Sequence, residues 1–254
     1  EVVVGPGAKP LLFFPMMALL EKGDEVIYPD PGFPSYRAII EIMEAVPVPV
    51  ALNEARGFSF DMHEFMARVC SRTRLVIINS PSNPTGGIVG LNDLQEIATA
   101  ARTHDFWILS DEIYSRINYS KDQVPSIVSL PGMQERSILV DGFSKTYAMT
   151  GWRLGYGIMP QDLAEKVSLL LTHSIGCTAG FTQIAGIEAL DGPQQQVEQV
   201  RSVFKKRRDI IVKGLNDIPG IECQTPSGAF YVFPNIKNLG RSSEEIAEYL
   251  LIEA

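Results

Sequence analysis

Four residues whose types could act together occupy the same kind of place in the chain. Asn83, Asp111, Tyr114 and Lys145 each stand at or just past the end of an apolar, strand-like run. RLVIINS (74–80) leads into PSNPTGG, FWILSDE (106–112) into IYSRI, and SILVDGF (137–143) into SKTYAMTG. In a parallel α/β sheet, ligands bind beyond the carboxyl ends of the strands, so an amide, a carboxylate, a phenol and an amine would converge there. Lys145 lies among small and aromatic residues in DGFSKTYAMTGWRLGY. A lysine in apolar surroundings has a lowered pKa and becomes nucleophilic, suited to a Schiff base with an aldehyde. Such an aldehyde needs an electron sink, and a carboxylate against its ring nitrogen would keep that nitrogen protonated. Asp111 is the candidate, although its position equally suits a helix N-cap or a surface turn, as does that of Glu112.

Three further features could complete such a site. GPGAKP (5–10) joins a strand to a helix N-terminus, where backbone N–H groups and the helix dipole favour a phosphate; a plain structural turn would use the same residues. Arg153 could add a charge-assisted contact to that phosphate or form a surface ion pair. Phe33, in DPGFPSY, could lie flat on an aromatic ring or simply join the core.

The elements that must position these residues alternate between strand and helix patterns, which predicts an α/β fold with a mostly parallel sheet. Near-continuous apolar runs such as LVII and FWIL suit strands covered on both faces, a three-layer arrangement. VVV (2–4) begins the series, and Pro10 suits the first turn of a helix for which Gly23 supplies a stop. DEVIYPD reads as a strand, Pro34 opens the helix PSYRAIIEIMEA, and Asp61 with Glu64 has the spacing of a capping box. LNDLQEIATAAR is a helix between two of the strands, and a longer one runs from about Pro193 to Leu215. PSGAFYVFP reads as a strand of a second, smaller domain.

Composition narrows the classes. The chain has 254 residues, 22 Lys plus Arg against 30 Asp plus Glu, and a formal net charge of -8. That balance argues against a broad nucleic-acid surface. The basic block KKRR (205–208) reads as a solvated helix face. Cys70, Cys177 and Cys223 form no CxxC pair, so neither a disulfide framework nor a zinc site is expected. His63, His104 and His173 are isolated. No apolar run approaches the roughly 18 residues of a spanning helix and no signal peptide opens the chain, so a soluble, cytoplasmic protein without membrane contact is expected. The chain starts without Met and stops in a helical pattern, which reads as a fragment of a longer protein.

NSPSNPTGG, SDEIY and DGFSKTYAMTGWRLGY, in this order and spacing, closely resemble the class I/II aminotransferases, pyridoxal 5'-phosphate enzymes of fold type I. The similarity runs over essentially the whole chain. It implies that Lys145 carries the cofactor as a Schiff base and then moves the substrate Cα proton. It implies that Asp111 pairs with the pyridine nitrogen and that Asn83 and Tyr114 hydrogen-bond the phenolic oxygen. Gly7, Ala8, Lys9, Ser144 and Arg153 match phosphate-binding positions, and Phe33 matches the ring-stacking residue. Gly142 stands where many relatives have a further phosphate-binding serine. The family's carboxylate-binding arginine falls beyond residue 254, and its N-terminal closing segment is absent. The resemblance further implies a cofactor-binding large domain over 1–205 with the start of a small domain over 206–254, L-amino-acid and 2-oxo-acid substrates, and a homodimer. A carbon–sulfur lyase on the same scaffold, or a non-catalytic cofactor-binding fragment, is the alternative, because the cofactor's chemistry is common to all.

Two unrelated readings fit less well. GFSKT approaches the nucleophile elbow G-x-S-x-G, with Ser144 as nucleophile and His173 as base, but Thr146 replaces the second glycine. GPGAKP has two glycines of a dinucleotide fingerprint, but Pro10 stands where the third belongs.

Overall fold

The computed structural model describes residues 1–120 and 123–253. Its frame is an eight-stranded sheet whose strands are β1 (Val2–Gly5), β2 (Glu25–Asp30), β3 (Val46–Asn53), β4 (Ser59–Phe60), β5 (Thr73–Asn79), β6 (Trp107–Asp111), β7 (Ser137–Gly142) and β8 (Gly155–Ile158). They lie in the order β1-β8-β7-β6-β5-β2-β3-β4. The centre, from β7 through β6, β5 and β2 to β3, is parallel, and the flanking pairs β7–β8, β8–β1 and β3–β4 are antiparallel.

The apolar strands divide their side chains between two cores, because successive residues of a strand point to opposite faces. Leu75 and Ile77 of β5 join one core with Leu109, Ile138 and Val140. Val76 and Ile78 join the other with Ile108 and Ile27. The first core is covered by α1 (Lys9–Leu19), α2 (Ser35–Ile42) and α6 (Gln161–Ser174), which contribute Leu11, Met16, Ile40, Leu163 and Val167. The second is covered by α3 (Met62–Arg68) and α4 (Leu91–His104) through Phe65, Leu94, Ile97 and Ala101. The three-layer α/β arrangement expected from the sequence is therefore present. The single turn α5 (Phe143–Thr146) lies between β7 and β8, and α7 (Gly180–Asp191), the 22-residue α8 (Gln195–Asn216) and α9 (Ser243–Glu253) follow α6.

Some local expectations are corrected. Gly23 does not stop α1, which ends at Leu19; with φ 89° it shapes the turn into β2, and its N–H donates to Glu44 O at 3.1 Å. Asp61 does cap α3, its Oδ1 accepting from the His63 and Glu64 N–H groups, but its own N–H donates to Ala51 O, so the reciprocal half of a capping box is not formed. PSGAFYVFP is not a strand. Among the described residues no strand lies beside it; it is held by one single bridge, Asn118 with Gly228, and a second, Glu222 with Asn235, closes just past its end. Ala229, at φ 56°, breaks its extended course. Of the basic block, Arg208 is not solvated: its guanidinium lies 4.6 Å from the Tyr119 ring centre, donates to Pro226 O at 2.9 Å and pairs with Asp209. The expected domain division after residue 205 falls within α8, and Ala254 lies outside the described residues.

Candidate active site

Asp111 ends β6 and Lys145 sits in the turn of α5 that follows β7, so two adjacent parallel strands deliver the carboxylate and the amine to one end of the sheet. Asn83 and Tyr114 follow β5 and β6 in the same way. These four, with Ala8, Lys9, Phe33, Ser144 and Arg153, line one cavity of about 320 Å³. Gly7 does not line it but abuts Arg153. With φ 89°, Gly7 occupies the left-handed region, and a Cβ there would lie 2.0 Å from Arg153 Nη2. Every residue that the family resemblance singles out thus falls in or against a single hollow.

Asp111 is buried, and its two carboxylate oxygens have separate partners. The Tyr36 hydroxyl donates to Oδ2 at 2.7 Å, and the Ile113 N–H donates to Oδ1 at 3.3 Å. Burial pushes its carboxyl up to about 6, against the pull of those two donors. Among the described residues no Lys or Arg pairs with it, so a cationic group entering the cavity would meet a charge awaiting compensation. Glu112, the rival carboxylate, points elsewhere and accepts from the Ser110 and Ser126 hydroxyls.

Lys145 is held below the usual lysine range, first by burial and then by the Arg153 charge. Its Nζ lies 5.2 Å from the Phe230 ring centre and 5.8 Å from that of Tyr114. Arg153 is fixed by donating to Thr150 O at 2.8 Å and Pro6 O at 3.4 Å and has no carboxylate partner among the described residues. It borders the start of α1, whose N-cap Ala8 provides no side-chain cap. An arginine beside an uncapped helix N-terminus favours an anion at that end of the cavity. Phe33 packs edge-on to Tyr36 at 5.6 Å, with Lys9 Nζ 5.4 Å from its ring centre.

Several cavity residues escaped the sequence reading. Tyr36 is one; it lies one helical turn past Phe33 and carries the hydrogen bond that orients Asp111. Asn79 is another. A polar residue closing an apolar strand was its visible signal, and its side chain ties two strand ends together by accepting from Asn83 N–H and donating to Asp111 O. Tyr231 is the third, its hydroxyl 2.6 Å from that of Tyr114. Nothing in its local pattern marked it, because the contact spans 117 residues of sequence. The hydrolase arrangement is not formed: among the described residues no hydrogen bond joins Ser144 to His173, which is exposed on α6. No group of His, Cys, Asp and Glu suited to a metal occurs among the described residues, and none of their helices is long and apolar enough to cross a membrane.

Comparison with known proteins gives a consistent result. The sequence pattern of the family described as "Aminotransferase class I and II" matches residues 1–254. The chain is 39% identical over 253 residues to the putative aminotransferase YugH of Bacillus subtilis, covering 100% of this chain and 65% of that protein. It is 41% identical over 257 residues to an aspartate aminotransferase of Pyrococcus horikoshii, again covering 100% of this chain and 65% of the relative. The crystal structure of an aromatic aminotransferase from Pyrococcus horikoshii superposes with a TM-score of 0.96 at 38% identity, over 100% of this chain and 68% of that one. The chain therefore spans about 65% of the length of these curated relatives.

Proposed function

The chain belongs to the class I and II aminotransferase family, and on that premise we propose that it serves a pyridoxal-phosphate-dependent transfer of an amino group between an L-amino acid and a 2-oxo acid. The observation that carries this reading is one cavity holding a lysine of lowered pKa, a buried carboxylate without a cation partner, and an arginine beside an uncapped helix start. These three groups fit a ligand with an aldehyde, a basic ring nitrogen and a phosphate.

In this reading Arg153, Ser144 and the Gly7–Lys9 turn hold the phosphate, the turn mainly through its backbone. Phe33 lies against the ring, and Asn83 and Tyr114 hydrogen-bond its phenolic oxygen. Asp111, steadied by Tyr36, keeps the ring nitrogen protonated, because a carboxylate fixed in a buried setting favours the cationic form of its neighbour. When bound, the cofactor supplies an electron sink for the carbanion formed at the substrate Cα. Lys145 would anchor the cofactor, yield its place to the substrate amine, and then move the proton from the substrate Cα to the cofactor's C4′, the carbon on the other side of the substrate nitrogen. Burial and the Arg153 charge both lower its pKa, a shift toward the neutral amine that both tasks need. An aspartate or an aromatic amino acid is the donor class that the relatives' names suggest.

Assembly as a homodimer and a cytoplasmic setting belong to the same proposal. The first is supported by the exposed apolar residues of α7, and the second by cysteines that all stand free. The direct test adds pyridoxal phosphate to the purified chain, reduces with borohydride, and maps the modified lysine by peptide mass spectrometry. A phosphopyridoxyl group on Lys145 is expected. Labelling spread over surface lysines, equally present in Lys145→Ala, would overturn the assignment.

A further inference from the structure

We infer that Tyr231 is a positioning residue for Tyr114: its hydroxyl donates to Tyr114 Oη and so commits the single Tyr114 proton to the cavity that both residues line. The inference rests on the proposed function, which has Tyr114 offer that proton to a cofactor oxygen.

Geometry carries the argument. The two hydroxyls are 2.6 Å apart, and a phenol has one proton to give. If Tyr114 gave its proton to Tyr231, it would face the cavity only as an acceptor. With Tyr231 as donor, Tyr114 gives outward and is strengthened as a donor, because hydrogen bonds in series polarise one another.

The segment bearing Tyr231 is fixed like a site element rather than a loose loop. Gly228 N–H donates to Gly86 O at 2.9 Å, Ala229 N–H to Ile117 O at 2.8 Å, and Tyr119 N–H to Ser227 O at 3.0 Å. The Tyr119 hydroxyl returns to Ala229 O. Gly228 is required by close approach, since a Cβ there would lie 2.6 Å from Pro81 Cγ. Arg208 pins the same segment from α8 through Pro226 O and the Tyr119 ring. The neighbouring Phe230 packs edge-on to Tyr114 at 5.3 Å, so the ring of Tyr114 is located while its hydroxyl is oriented.

The test follows the visible absorption band of pyridoxal phosphate bound to the chain as pH is varied, in the parent, in Tyr114→Phe, in Tyr231→Phe, and with 3-fluorotyrosine placed at position 231. A donor at the cofactor's phenolic oxygen draws charge from it and loosens its hold on the neighbouring proton. Tyr114→Phe should therefore raise the midpoint. Tyr231→Phe, which leaves Tyr114 in place but weaker, should raise it by a smaller amount, about half a unit to one unit. Fluorotyrosine, a more acidic phenol and a better donor, should lower it. A purely structural role would not reverse sign between the last two. A midpoint unmoved at 231, or moved the same way by both changes, while Tyr114→Phe shifts it, overturns the inference alone. Absence of any band from Lys145 in the parent overturns the proposed function and this inference with it.

Discussion

The Tyr36 hydroxyl is a donor to Asp111 that has no substitute nearby except one long bond from Ile113 N–H. A hydrogen bond to a buried ionised group is worth about 1.5–3 kcal/mol, and Tyr36→Phe removes it with almost no change of shape. The carboxyl of Asp111, already pushed up to about 6, would rise further and hold a ring cation less firmly. Pyridoxal phosphate should bind the variant roughly tenfold to a hundredfold more weakly in an equilibrium titration, and the empty chain should itself melt a few degrees lower, because the bond is made without ligand. Asp141 gives a second residue-level case. Its carboxylate accepts from Gly142 N–H and the Tyr156 hydroxyl, and burial pushes it up to about 7. Because the folded value lies above the unfolded one, this group lowers stability as pH rises from about 4 to about 7 and leaves it unaffected below. Asp141→Asn should melt at a higher temperature than the parent at pH 8.5, by roughly 1–3 kcal/mol of stability, and should show no gain at pH 4. A gain of equal size at both pH values would show that charge is not the cause.

Elements decide whether those residues meet, and they were unevenly legible. The central strands declared themselves through runs such as LVII and SILV, because a strand covered on both faces must be apolar throughout. Their ends then located Asp111, Asn83 and Lys145. Strand β8, only four residues of which two are glycine, carried no such pattern, and its place between β1 and β7 is set by tertiary pairing. The segment from 226 to 234 misled in the other direction. Its aromatic, β-favouring composition serves packing against Tyr114 and Phe204, not a ladder. Arg208 was hidden for a related reason: a helix charge run says nothing about which member turns inward. Two predictions test these elements. Arg208→Met should keep the stem's packing but lose the Pro226 bond and the ring contact, costing about 1–2 kcal/mol and speeding amide exchange at Gly228 and Ala229. Gly7→Ala must move Arg153 aside and strain the turn, so inorganic phosphate should bind severalfold more weakly while the sheet stays intact by circular dichroism.

At the scale of the whole molecule, α7 stands outside the two cores and carries more apolar residues than it buries. Gly186 passes so near Leu154 that a Cβ would lie 2.4 Å away, so one face of α7 is packed tightly against the body. The other face shows Phe181 at 74%, Ile184 at 67%, Ile187 at 56% and Leu190 at 53% exposure. An exposed apolar row of this size on one helix marks an interaction surface. A second copy supplies the partner under the proposed homodimer, since a two-fold contact sets the same patch against itself. The parent chain should then sediment as a dimer at micromolar concentration. Ile184→Glu should shift it to monomer and cost the monomer itself less than about 0.5 kcal/mol, because the residue is exposed there. A parent that sediments as a monomer throughout that range would remove α7 as the dimer contact. A variant that dissociates only by unfolding would assign Ile184 to the interior of the chain instead.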